Sequence, residues 1–229
     1  MPTLDIICLA NSRKLRGRCV AGLRADGGGW IRPVAPTEDG TLFGQHYYLD
    51  NGSEAQILDL IRIEVSKAKP ETHQPENWVI GDAQWELLAR KALPQHLEQI
   101  VCYVETGASL FGDYGDRMDF DRLCKTPVTR SLCVVQPQDV KWRITKSIKG
   151  YRQTRAIFRL TDRLYDLSVT DPVWETRLSR LGYGIHDIES ADCPDEMRLL
   201  FTISLGEPLP SDKQCYKLVA GIILLERGM

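Results

Sequence analysis

Two apolar runs, Arg18 to Ala25 and Trp30 to Val34, are separated by Asp26-Gly27-Gly28-Gly29. An Asp-Gly pair followed by further glycines supplies the positive φ angles of a tight turn, so the runs read as the two strands of a hairpin. Leu4 to Ala10 supplies a strand before it. Ile57 to Lys67 supplies a long one after it, ended by the break from Pro70 to Pro75. Four strands within about 70 residues, with no good helix between them, predict a small antiparallel barrel or rolled sheet.

The next segment changes character. Asp82 is placed to cap a helix running to Ala92, because Trp85, Leu88 and Ala89 recur at helical spacing, and Leu93 to Val104 predicts a second helical stretch after Pro94. From Glu105 to Pro127 the chain is rich in Gly, Asp and Ser, which is loop composition and a natural boundary. Strands are expected again at Ser131 to Val135, Asp139 to Lys149, Thr154 to Leu160 and Arg163 to Val169. Asp171 followed by Pro172 starts a short helix over Val173 to Leu181. Thr202 to Leu205 and Leu218 to Leu225 add two strands. The expected layout is mainly β with minor α: a barrel over residues 1–80, a helical connector and loop over 81–127, and a second barrel over 128–229.

At 229 residues the chain suits two cores better than one. A net charge of −2 argues against indiscriminate coating of nucleic acid, so a polyanion site has to come from local clustering. No stretch approaches the ~18 apolar residues that span a bilayer, and no basic segment precedes an apolar run at the start. The seven cysteines are scattered without a C-x-x-C or C-x-x-H pair, which predicts reduced thiols of a cytoplasmic protein and no zinc site of that kind. Cys8, Cys102 and Cys133 fall within apolar runs and are read as small hydrophobes.

Two basic loci stand out. Asn11 to Arg18 carries Arg13, Lys14, Arg16 and Arg18 without an acid, between the first two predicted strands; it is either a phosphate clamp or a solvated turn. Trp30 and Arg32 lie two apart on the third strand and share a face, where an aromatic ring beside a guanidinium would stack a base, although Trp30 could equally be core. The second locus is richer. Lys141, Arg143, Lys146, Lys149, Arg152, Arg155, Arg159 and Arg163 are eight cations in a 23-residue stretch whose only acid is Asp162. Alternation sends Trp142 and Ile144 to the core and Lys141 and Arg143 outward. Gly150 and Tyr151 read as a hairpin tip reaching toward a strand.

Catalytic templates match poorly. The four histidines form no H-E-x-x-H or H-x-E arrangement, there is no G-x-S-x-G, and Gly27 to Gly29 lacks the lysine and helix of a phosphate-binding loop. Asp113, Asp116, Asp119 and Asp121 could hold Mg²⁺ in a nuclease, against the plainer reading of a solvated acidic turn.

The stretches Ile7-Cys8-Leu9-Ala10-Asn11-Ser12-Arg13-Lys14, Gly17-Arg18-Cys19-Val20-Ala21-Gly22 and Gly29-Trp30-Ile31-Arg32-Pro33-Val34 resemble the opening of the bacterial dual OB-containing domain family. Gln74-Pro75-Glu76-Asn77-Trp78 and Tyr165-Asp166-Leu167-Ser168-Val169-Thr170-Asp171-Pro172 agree with it. The resemblance implies two OB-like barrels and a nucleic-acid role in settings such as defence against mobile DNA; it brings no catalytic residue with it. The expectation is a noncatalytic protein without cofactor or metal that grips DNA or RNA, single strands favoured, through Arg13, Lys14, Arg18, Trp30, Arg32, Lys141, Arg143, Lys146, Lys149, Tyr151, Arg152 and Arg155. The alternatives are an adaptor with a protein partner in a multi-component system and, last, a metal-dependent nuclease.

Overall fold

The computed structural model describes residues 1–147, 150–191 and 197–226. The first sheet contains β1 (Thr3–Lys14), β2 (Gly17–Arg24), β3 (Trp30–Val34), β4 (Leu60–Ala68), β5 (Asn77–Ile80) and β6 (Glu86–Ala89), with a single helical turn, α1 (Gly44–Tyr47), between β3 and β4. Its order is β1-β2-β3-β5-β4-β6, and β1 also pairs with β4, from Thr3↔Glu64 to Ile7↔Leu60. The β3–β5 pair is parallel. A five-stranded barrel closed in this way has the OB arrangement.

The hairpin between β2 and β3 forms as its sequence dictates. Gly27 and Gly29 both take positive φ, and the Asp26 carboxylate accepts from the Gly28 N–H at 2.9 Å. The helix expected from Asp82 to Ala92 is corrected to the strand β6. Trp85 is buried in the barrel core and Leu87 packs against it, while Glu86 between them and Leu88 after them are exposed, so the segment alternates with period two. Pairing of Ile61 with Leu87 and Arg62 with Glu86 outweighs the helical spacing.

α2 (Pro94–Cys102) follows, then β7 (Val104–Glu105), β8 (Arg117–Asp119) and α3 (Phe120–Lys125), which place two short strands and a helix where loop composition was read. β8 forms because it can pair with the last strand of the chain, and Asp119 caps α3 by accepting from the Arg122 N–H at 2.8 Å. Cys8 and Cys133 are buried, as small hydrophobes would be, but Cys102 at the end of α2 is exposed.

The second sheet adds β9 (Leu132–Val135), β10 (Gln138–Lys146), β11 (Arg152–Leu160), β12 (Arg163–Val169), β13 (Gly184–Asp187), β14 (Met197–Pro208) and β15 (Gln214–Glu226). α4 (Pro172–Leu178) begins where Asp171-Pro172 predicts it: Asp171 accepts from the Val173 and Trp174 N–H groups, and its other oxygen accepts from Ile222 of β15 at 3.1 Å. The order β10-β11-β12-β15-β14, with β12 and β15 parallel, repeats the order of the first barrel. Among the described residues no β10–β14 ladder closes it; β13 pairs with β10 instead.

The two sheets are joined by apolar packing. Ile7, Leu9 and Leu23 share a buried cluster with Ile100 of α2 and with Val134, Leu200, Ile223 and Leu225 of the second sheet. Ile6 and Cys8 of β1 face the opposite way, into the first barrel. Burial on both faces explains why β1 and β15 are near-continuous apolar runs. β1 bulges between Cys8 and Ala10, and a Cβ on Gly221 of β15 would lie 2.1 Å from the Leu9 carbonyl oxygen, so glycine permits this approach.

Candidate functional site

In the first basic locus three of the four cations meet a carboxylate of the same chain, and Arg16 meets none among the described residues. Arg13 pairs with Glu175 of α4 at 2.5 Å, Lys14 with Glu207 of β14 at 2.8 Å, and Arg18 with Glu54 at 3.2 Å. Burial pushes the Glu175 carboxyl up, and Arg13 opposes that shift. The β1–β2 hairpin is thus tied to the second sheet and to its helix, and the Arg13 N–H also donates to the Thr170 carbonyl at 2.8 Å.

Arg32 is corrected outright. It is 1% exposed, and its guanidinium points into the junction between the sheets, donating to Ser131 Oγ at 2.9 Å and Ser204 Oγ at 3.2 Å. Glu76 accepts from the backbone N–H and hydroxyl of Ser131 at 2.6 and 2.7 Å, so a carboxylate lies one hydroxyl away from the buried cation. Trp30 is partly buried against Ala10, Ala21, Leu132 and Ala220, in the same junction. The loop at residues 69–76, which joins β4 to β5, meets the second sheet as well: the Gln74 side chain donates to the Leu205 carbonyl at 3.0 Å, and Thr72 accepts from Val128. In an OB barrel the loops after the first and fourth strands flank the ligand face. In the first barrel both are engaged by the second sheet.

His73, on that loop, is 3% exposed, and its Nε2 lies 2.6 Å from Glu207 Oε2 and 3.7 Å from Glu71 Oε2. Burial alone would raise the Glu207 carboxyl, but the hydrogen bond to His73 and the charge of Lys14 override it and hold it at about 2. Sequence reasoning missed this group. Glu71 and His73 are two apart, but Glu207 is 134 residues from His73.

The second locus is differently built. β10 alternates as expected, with Trp142 and Ile144 buried. Trp142 packs against Trp174 and Phe201. Many of the outward cations are nonetheless paired. Arg143 and Arg155 both bind Asp166, Lys141 meets Asp187 at 3.3 Å, and Arg159 meets Asp139 at 3.5 Å. Arg152 donates to the Leu178 and Leu181 carbonyls at the end of α4. Lys146 has no carboxylate partner among the described residues. Lys149 lies outside them.

At the β10–β11 end, Tyr151 is 72% exposed and Tyr183 58% exposed. The Lys146 ammonium and the Arg152 guanidinium lie over the Tyr183 ring, 5.4 and 5.6 Å from its centroid. Ile185 of β13, the terminal strand of the sheet, is exposed beside them. Tyr183 was not singled out in the sequence, because the chain between α4 and β13 carries no periodic pattern.

The aspartate loop is held by protein groups. Asp113 accepts from the buried Lys217 at 2.9 Å, Asp116 pairs with Arg117 at 2.8 Å, Asp119 caps α3, and Asp121 meets Lys213 at 3.2 Å. Among the described residues the converging group of metal-ligand types is Glu71, His73 and Glu207. No helix among the described residues is long and apolar enough to cross a membrane.

A family model for the dual OB-containing domain matches residues 4–222. No curated protein matches the chain. With the match spanning nearly the whole sequence, and with the OB strand order in the first barrel repeated in the second sheet, the chain belongs to the dual OB-containing domain family.

Proposed function

We propose that this is a noncatalytic, cytoplasmic nucleic-acid-binding protein that takes a single strand of DNA or RNA at the β10–β11 end of the second sheet. The observation that carries the reading is the pair of exposed tyrosines, Tyr151 and Tyr183, beside Lys146 and Arg152. Exposed aromatic rings stack bases whatever their sequence, and adjacent cations bind the intervening phosphates. The β10–β11 turn joins the first two strands of its OB-like order, where such ligands are bound. The paired cations Arg143 and Arg155 serve to hold the strands, Arg13, Lys14, Trp30 and Arg32 to join the sheets, and Arg18 to tie β2 to Glu54 within the first barrel. A setting in bacterial defence is consistent with the family.

Fluorescence anisotropy with labelled single-stranded DNA and RNA over a salt series tests this. Neutralising about two phosphates, one each by Lys146 and Arg152, predicts a slope of log K against log salt of about −1.4. Absence of binding at low salt would sink the proposal. The edge of β13, unpaired among the described residues, and the exposed Ile185 favour a second reading, a protein partner that adds a strand there. Recovery of a stoichiometric partner from nuclease-treated lysate, lost on Ile185→Lys, would support it.

A further inference from the structure

We propose that Glu71, His73 and Glu207 form a binding site for a divalent transition metal of the zinc class, which staples the β4–β5 loop of the first barrel to β14 of the second sheet. The ligand atoms of the three side chains lie within 4.8 Å of one another. Each carboxylate divides its two oxygens in the same way. Glu207 gives Oε1 to Lys14 at 2.8 Å and Oε2 to His73 at 2.6 Å; Glu71 gives Oε1 to Lys69 at 3.7 Å and Oε2 to His73 at 3.7 Å. The inner oxygens converge on the imidazole, while the lysines orient the carboxylates from outside, as partners around a metal site do.

Tetrahedral zinc with bonds of about 2.0–2.1 Å separates its ligands by about 3.4 Å. The His73–Glu71 spacing already fits. The His73–Glu207 spacing must open by under about 1 Å, exchanging one hydrogen bond for two metal bonds. His73 is deeply buried, but both glutamates are about one third exposed, which gives the ion a way in and leaves an outward position for water. An imidazole with two carboxylates suits zinc and its neighbours, and magnesium poorly. The two lysines already balance the carboxylates, so the ion adds net positive charge and binding is weaker than in a thiolate site.

The test is calorimetric titration of the chelator-stripped protein with Zn²⁺, and separately with Mg²⁺, alongside thermal unfolding. Uptake of about one zinc per chain is expected, with the unfolding midpoint raised by about 5 °C at saturating zinc. Mg²⁺ should do neither. Both effects should be lost in His73→Ala and reduced at least about tenfold in affinity in Glu71→Gln, which alters only the exposed rim and keeps the test open if the first variant does not fold. No zinc uptake, or full uptake in either folded variant, as the exposed thiols Cys102 and Cys124 would give, overturns the proposal.

Discussion

Arg32→Ala separates the two roles an arginine at this position could have. In the structure the guanidinium is enclosed between the sheets, with hydroxyl partners on Ser131 and Ser204, and Glu76 lies behind Ser131. Truncation removes the charged hydrogen bonds, leaves Glu76 without its nearby cation and opens a cavity. Breaking a buried charged network of this kind costs about 3–5 kcal/mol. For a chain of this size each kcal/mol lowers the midpoint by about 2–4 °C, so thermal unfolding followed by circular dichroism should show a loss of about 6–20 °C. Nucleic-acid affinity, measured well below the new midpoint, should be unchanged. A variant with wild-type stability and much weaker binding would refute the reasoning, because Arg32 would then face ligand rather than the second sheet.

Gly221→Ala should lower stability by about 1–3 kcal/mol in the same assay, since its Cβ has to displace the Leu9 carbonyl; no change would mean that β1 and β15 do not approach as described. Glu207 gives a pH signature in metal-free buffer. Its carboxyl is held at about 2 against an ordinary 4.5, so its ionised form stabilises the fold fully above pH 4.5 and that contribution is lost as pH falls toward 2. The stability gap between wild type and Glu207→Gln should therefore narrow over that window. A gap that stayed constant with pH would contradict the pairing.

Much of the fold was legible in the sequence where local chemistry decides it. β3 and β12 have the bounds their apolar runs predict, and Asp171-Pro172 starts α4 because a side-chain acceptor followed by a preset φ acts within one turn. The segment Asp82 to Ala92 misled because its helical spacing competes with pairing to β4, a partner some 25 residues earlier. The site was less legible for the same reason. The basic segments looked one-sided because their acids, Glu175, Glu207 and Asp166, are brought in by the topology rather than by neighbourhood in sequence. Arg32 and Trp30 share a strand but serve the junction, since a second sheet packs where a ligand was expected.

The central claim is that ligand is held by the tyrosine pair at the β10–β11 end and not by the hairpin of the first barrel. Anisotropy with one single-stranded oligonucleotide tests it directly, comparing Tyr151→Ala/Tyr183→Ala and Lys146→Glu with Arg13→Glu. Loss of stacking at about 1–3 kcal/mol per base predicts at least a tenfold weaker complex for the tyrosine pair, a clear weakening for Lys146→Glu, and little change for Arg13→Glu. Wild-type affinity in the tyrosine variant, with binding abolished by Arg13→Glu, would contradict the account.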